Sequence, residues 1–243
     1  MTVSISGATI SGGVNLGNYI PLVTNGLVLN LDAGNSSSYS GSGSTWVDLS
    51  GNGYNGTLIN SPVFVNTGSS SSFTFDGTSQ YVDLGTSLAS SFSSNAITVI
   101  AIAQISAVVS KNTLFSFGGS GAQQGQFNGF LPGNRLTDTY QLYWDPVYSW
   151  QHGNNNSWNL NQWYYFGWTV SNTNTLTFYY NEKLDGIVSP VNTFSPVGTS
   201  RLGLGNAGEY ATGKIAQVMM YNRVLTPAEV SQNFQVLRGR YGL

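Results

Sequence analysis

The chain has 243 residues, and only 7% of them are charged (8 Lys+Arg, 10 Asp+Glu), against about 25% in an ordinary soluble domain. A net charge of −2 provides no electrostatic footprint for nucleic acid, and the absence of cysteine excludes disulfides, thiolate metal sites and cysteine nucleophiles. Gly, Ser, Asn and Thr supply 108 residues, while apolar residues reach 40% and aromatics 13%, which describes a neutral polar surface over an aromatic core rather than a disordered chain.

In chain order, residues 1–26 are Gly- and Ser-rich with isolated Val, Ile and Leu. They read either as a frayed terminus carrying an edge strand or as an arm that docks on a neighbouring subunit. The opening MTVSISGATISGG has neither a basic nor an apolar segment, so no signal peptide is expected. Short β-rich runs then recur between turn residues, the pattern of a sandwich or barrel. Strands are expected at Leu27–Asp32, Ser72–Asp76, Gln80–Leu84, Ile97–Ile105, Thr113–Phe117, Tyr140–Asp145, Trp163–Val170, Thr175–Asn181 and Gly213–Asn222. Phe73 and Phe75 share one face, as do Leu176, Phe178 and Tyr180. Ile97–Ile105 is apolar on both faces, as in a central strand between layers; it is also the longest apolar run and is half the ~18 residues of a membrane span. Turn chemistry stands at Gly51-Asn52-Gly53, Asp76-Gly77, Asn128-Gly129, Gly133-Asn134 and Asp185-Gly186. Segments 34–44 and 67–72 are Ser/Gly/Asn loops without recognisable chemistry. Near the end, Thr226 as N-cap, Pro227 at the first helical position and Glu229 as capping-box partner open a helix of about three turns. Val230, Phe234 and Leu237 form its apolar face and Gly239 its stop.

Four motifs then acquire meaning together. Gly26-Leu-Val-Leu-Asn-Leu-Asp32 with Trp46-Val-Asp-Leu-Ser-Gly-Asn-Gly53 and Gly56-Thr-Leu58 resembles the opening of laminin-G-like, concanavalin A-like jelly-roll domains. Phe73-Thr-Phe-Asp-Gly-Thr-Ser-Gln-Tyr-Val-Asp-Leu84 resembles their "FDG…Y" strand pair, and Trp163–Val170 with Leu176–Asn181 and Asp185-Gly186 their "W…V…lYvNG…G" hairpin. Gly213-Lys-Ile-Ala-Gln-Val-Met-Met-Tyr-Asn-Arg-Val-Leu-Thr-Pro-Ala-Glu-Val230 resembles the closing "G.I..v.iYNR.Ls..Ei" element, the most specific of the four. The resemblance runs through residues 26–238 in the family's order. It implies an all-β, antiparallel two-sheet jelly-roll sandwich over residues 27–243 with one short C-terminal helix. Domains of this wording are common in structural proteins of tailed bacteriophages, which leave the host by lysis and need no export signal.

Catalytic chemistry finds few candidates. A glycosidase needs two carboxyl groups flanking the scissile bond, yet the three glutamates, Glu182, Glu209 and Glu229, lie in no paired-acid strand motif. A cross-strand pair such as Asp145 with Glu209 stays open. His152 is the only histidine, which removes His-based metal clusters, and no Gly-x-Ser-x-Gly elbow precedes a helix. Gly203 and Gly205 lie in no βαβ unit, so no dinucleotide site is read there. No cofactor is expected; a rim calcium, as the resemblance implies, could draw on Asp48, Asp138 or Asp145. The richest stretch is Tyr140–Trp163, with Trp144, Asp145, Tyr148, Trp150, His152, asparagines 154–156 and Trp158. Aromatic rings stack on sugar faces while Asn, Asp and His take hydroxyls. Trp144, Tyr148, Trp150, His152 and Trp158 are therefore the candidate glycan- or partner-binding residues. The alternative is that alternate aromatics face the core, although Trp150 and Trp158 flank a loop and at least one is expected at the surface.

Together these readings point to a non-enzymatic virion structural protein, a capsid decoration protein displayed on the particle surface and touching host glycans. Its expected partners are other virion proteins through residues 1–26, further copies of itself and a host-surface glycan, without nucleic acid or membrane. Tail-fibre or baseplate protein, adhesin-type carbohydrate-binding module and polysaccharide hydrolase are the alternatives, in that order.

Overall fold

The computed structural model describes residues 20–92, 96–107, 112–118, 151–155, 157–189 and 196–243, the strand backbones at 127–131, 141–144 and 149–150, and a two-stranded pair formed by Ser4–Ile5 and Ala8–Thr9. Two eight-stranded antiparallel sheets face each other. The first runs edge to edge through Lys183–Val188, Leu176–Tyr180, Trp163–Val170, Ile97–Ile105, Thr212–Tyr221, Ser72–Asp76 and Val63–Val65, with Leu27–Asp32 also paired to Thr212–Tyr221. The second runs through Ser149–His152, Gln141–Trp144, Phe127–Leu131, Asn112–Phe117, Ser200–Leu202, Tyr81–Asp83, Gly56–Ile59 and Thr45–Trp46.

Side-chain alternation divides the core in two. Val99, Ala101, Ala103, Tyr164, Phe166, Trp168, Val218 and Met220 point between the sheets, where they meet Trp46, Phe73, Phe75, Phe115 and Phe117. Ile100, Ile102, Tyr165, Met219 and Tyr221 point the other way, onto Val230, Phe234, Leu237 and Tyr241 of the helix. The first sheet is thus covered on both faces, which is why every position of Ile97–Ile105 is buried. Residues just before the first long strand belong to this layer too. Val23 is buried, its N–H donates to Asn233 Oδ1 (2.9 Å), and its carbonyl accepts from the Tyr221 hydroxyl (3.0 Å).

The strand Thr212–Tyr221 carries a fork. Its first half pairs with Ser72–Asp76 (Ile215↔Phe73) and its second half with Leu27–Asp32 (Gln217↔Asp32). Both neighbours occupy the same side of one long strand, end to end, and the ladder with Ile97–Ile105 is bulged between Ile215 and Gln217. A bulge inserts a residue and re-aims the chain; here it marks where the backbone leaves the sheet after Asp32 and returns before Ser72.

Three turn or stop assignments from sequence are corrected. Gly129 lies inside the strand Phe127–Leu131, opposite Phe115, where a Cβ would overlap the Phe115 ring of the paired strand. Gly186 lies inside Lys183–Val188, opposite Phe178 beside a bulge. The helix runs from Pro227 to Tyr241, so Gly239 is helical, and the stop is Gly242 in the left-handed region (φ 68°).

Candidate functional site

At the fork lies a cleft of about 330 Å³ lined by two loops, Ala33–Gly41 and Phe64–Ser71. Its walls are set by short-range hydrogen bonds that the Ser/Asn-rich sequence makes with its own backbone. Asn35 accepts from the N–H groups of Ser38 (2.8 Å) and Tyr39 (2.9 Å) at its carbonyl and from Ser37 N–H (2.9 Å) at its side chain. Ser38, fully buried, accepts from Asp32 N–H (3.1 Å) and donates to the Val47 carbonyl (2.6 Å). This turn delivers Tyr39 edge-on to Phe64 (4.8 Å, 62°) and to Phe73 (4.8 Å, 72°), a geometry aromatic rings favour. The Tyr39 hydroxyl donates to the Gly43 carbonyl (2.9 Å), and burial pushes its pKa up, so it stays a neutral phenol. On the facing wall, Ser71 Oγ accepts from Thr67 N–H (3.0 Å) and donates to the Gly68 carbonyl (2.6 Å).

The floor is electrostatically closed. Arg240, from the last turn of the helix, donates through Nη2 to Asp32 Oδ1 (2.7 Å), through Nη1 to Asp32 Oδ2 (2.9 Å) and through Nε to the Ser69 carbonyl (2.7 Å). One guanidinium therefore ties the end of the first strand to the opposite loop, in the bidentate geometry for which arginine is suited. Gly34 sits against this group: a Cβ there would overlap the Ser69 carbonyl and lie 2.5 Å from Arg240 Nη2. The lining holds neither carboxylate nor cation, but aromatic rings, glycines, serines and Asn66.

The sequence-predicted site residues are placed differently. Trp150 lies on an edge strand of the second sheet and Trp144 on the strand next to it, where register pairs Gln141 with His152 and Tyr143 with Trp150; their side chains, and Tyr148 altogether, fall outside the described residues. His152 is exposed, with Nδ1 3.1 Å from the Gly153 carbonyl. Trp158, a candidate binding residue, is buried instead: it is 2% exposed, with ring centroids 5.0 Å from Tyr164, 5.4 Å from Phe166 and 5.1 Å from Tyr180. The loop folds inward there because Trp158 plugs the end of the inter-sheet core, where Asn159 N–H donates to the Tyr164 hydroxyl (2.7 Å). Asn154 and Asn155 turn their backbone N–H groups to the Asp185 carboxylate (3.1 and 2.9 Å), which fastens this segment to the edge strand of the other sheet.

The acids named from sequence have structural duties. Glu229 closes the capping box and pairs with Arg223; Glu182 accepts from Ser231 and Gln235 of the helix; Glu209 accepts from Ala207 N–H in its own loop. Asp48 accepts from Asn30 and Ser50 N–H at one oxygen and from Tyr54 N–H and Ser50 Oγ at the other. Both oxygens of Asp48 are thus engaged within the protein; Asp138 and Asp145 lie outside the described residues. Among the described residues no group of three His, Asp or Glu could hold a metal ion, and no helix is long and apolar enough to cross a membrane. Sequence reasoning missed Tyr39, Phe64 and Asn66, since nothing local signals that loops 25 positions apart share one cleft.

A laminin-G-type family model, described as the concanavalin A-like lectin/glucanases superfamily, matches residues 76–231. Among curated protein sequences nothing matches. Similar solved structures include a Trypanosoma rangeli sialidase in complex with the inhibitor DANA (17% identity, TM-score 0.65), which aligns over 90% of this chain and 34% of its own. Domain 4 of AbnA, a GH43 extracellular arabinanase from Geobacillus stearothermophilus in complex with arabinotriose, aligns over 86% of this chain and 98% of its own (17% identity, TM-score 0.67). The binding domain of botulinum neurotoxin DC in complex with SialylT aligns over 88% and 52% (13% identity, TM-score 0.63). This chain spans about a third of the sialidase chain, and at these identities the likeness carries the fold. With the family model covering well over half of its length, the chain belongs to the concanavalin A-like lectin/glucanases superfamily.

Proposed function

We propose that the protein is a non-enzymatic carbohydrate-binding domain that takes a saccharide in the cleft at the fork of the first sheet. The observation that carries this reading is the lining. Half-buried Phe64 and the rim of Tyr39 offer an aromatic surface, and Ser36, Ser40, Asn66 and Ser69 offer neutral hydrogen-bonding groups around it. Concave sites of about 300–1,000 Å³ with few polar groups on an aromatic surface are what small ligands occupy. The non-enzymatic half rests on the same lining, which holds no carboxylate, whereas glycoside hydrolysis normally needs two flanking the bond. The arabinanase and neurotoxin domains, described in complex with arabinotriose and SialylT, support the class of ligand.

A second reading, that the domain decorates a virion or comparable assembly, is favoured by its composition. A surface with 7% charged residues lacks the repulsion that keeps monomers apart. The two readings are compatible, since a displayed subunit can carry a glycan site.

Titration calorimetry with arabino-, gluco- and galacto-oligosaccharides tests the first reading. Binding should weaken about tenfold or more in Phe64→Ala, a change of about 1.4 kcal/mol, with the β-sheet circular dichroism retained. Release of reducing ends from any of these sugars would remove the non-enzymatic assignment.

A further inference from the structure

Resting on that reading, we infer that the cleft selects uncharged saccharides and rejects sialylated ones. Structures that align with this chain include a sialidase in complex with sialic acid, 34% of which is covered, and an arabinanase domain in complex with arabinotriose, 98% of which is covered. Likeness of fold does not choose between an acidic and a neutral ligand; the side chains at the fork do.

A sialic acid brings a carboxylate. Moving it from water into a cleft is unfavourable unless a cation or several N–H donors meet it. None of the residues that line this cleft is Lys, Arg or His. Among the described residues, the guanidinium close by, Arg240, is spent: two nitrogens hold Asp32 at 2.7 and 2.9 Å, and the third holds the Ser69 carbonyl at 2.7 Å. It lies behind Gly34, and its charge is cancelled by Asp32, itself 6% exposed. Freeing it for a ligand would strand the buried Asp32 carboxylate, so the ion pair defends itself against an incoming anion.

The remaining groups match hydroxyls instead. Among the described residues the hydroxyls of Ser36, Ser40 and Ser69 and the amide nitrogen of Asn66 make no hydrogen bond within the protein, whereas Ser71 and the Tyr39 hydroxyl are engaged. Serine hydroxyls donate and accept, and the asparagine nitrogen donates, which suits the mixed donor and acceptor character of neutral sugar hydroxyls. The specificity is thus a difference of affinities made by a missing cation as much as by matched groups.

The test is a binding panel on the full chain with arabinotriose, maltotriose, N-acetyllactosamine and 3′-sialyl-N-acetyllactosamine. Asn66→Ala, on the exposed rim, and Ser36→Lys, which adds the missing cation, are measured alongside. At least one neutral sugar should bind, 3′-sialyl-N-acetyllactosamine should bind at least tenfold more weakly, Asn66→Ala should weaken the neutral sugar several-fold, and Ser36→Lys should narrow the gap. Equal or tighter binding of the sialylated sugar overturns the charge selectivity and leaves carbohydrate binding standing. Neutral binding that ignores Asn66→Ala and Ser36→Lys moves the site elsewhere and overturns the inference. If none of the four sugars binds, the carbohydrate-binding reading falls, and the selectivity with it.

Discussion

Gly129 shows how one missing atom can hold a layer together. It is a strand residue whose absent Cβ leaves room for the Phe115 ring, which in turn packs edge-on against Trp168 at 5.4 Å. Overpacking of this kind costs about 1–3 kcal/mol. Gly129→Ala should therefore lower the free energy of urea unfolding by that amount, and Phe115→Leu in the same chain should recover part of the loss by shortening the ring. An unchanged midpoint in Gly129→Ala would mean that the ring has space to spare. The same scale explains why the glycine was misread: Asn128-Gly129 is turn chemistry by sequence, and only a ring 14 positions away makes it strand chemistry. Trp158 is the converse. Its loop context suggests exposure, yet Tyr164, Phe166 and Tyr180 converge on it.

Among the elements, the C-terminal helix was the most legible because its signals are local. Thr226, Pro227 and Glu229 form the capping box that their spacing announces, reinforced by Arg223 donating to Glu229 at 2.9 and 2.6 Å. The stop was displaced by three residues. Arg240 and Tyr241 gain tertiary partners, Asp32 and the Trp163 ring, by staying helical, and this outweighs the weak helix preference of Gly239. Two substitutions of opposite sign follow. Gly239→Ala, in open space within the helix, should raise stability by about 0.5–1 kcal/mol. Gly242→Ala, at φ 68°, should lower it by about 1 kcal/mol. Thermal melting of the two variants distinguishes the stops, and equal shifts would contradict the boundary. The strands that carry apolar alternation were legible within a residue or two. Thr45–Trp46, Gly56–Ile59, Val63–Val65, Phe127–Leu131, Ser149–His152, Lys183–Val188 and Ser200–Leu202 were not, because short or edge strands have too few positions to imprint a pattern.

For the whole molecule, few charges mean few titrations, so the pH dependence is simple. Hydrogen bonds from Arg223 hold the Glu229 carboxyl down at about 2, and the Asp76 carboxyl, raised by burial but lowered more by the N–H groups of Ser79, Thr78 and Gln80, lies well below its ordinary range. A lowered carboxyl pKa contributes stability above the unfolded value, 4.5 for Glu229 and 3.8 for Asp76, and that contribution is lost as the pH falls through the folded value. Burial pushes the phenols of Tyr165, Tyr221 and Tyr241 up, so their contribution is present below the unfolded value of 10 and is lost as the pH rises beyond it. Urea unfolding should give a plateau between about pH 5 and 9 with losses on both sides; a steep slope inside that window would point to a titrating group not considered above. The sequence by itself determined the class of fold, the order of its major strands, the capped helix and the near absence of charge, because each is written in neighbouring residues through periodicity, turn chemistry and composition. Tertiary structure alone decided where a ligand could sit. Tyr39 and Phe64 meet, and Arg240 is neutralised by Asp32 across 208 positions, only because two strands share one side of a bulged third, and no local pattern encodes which distant loops such a junction brings together.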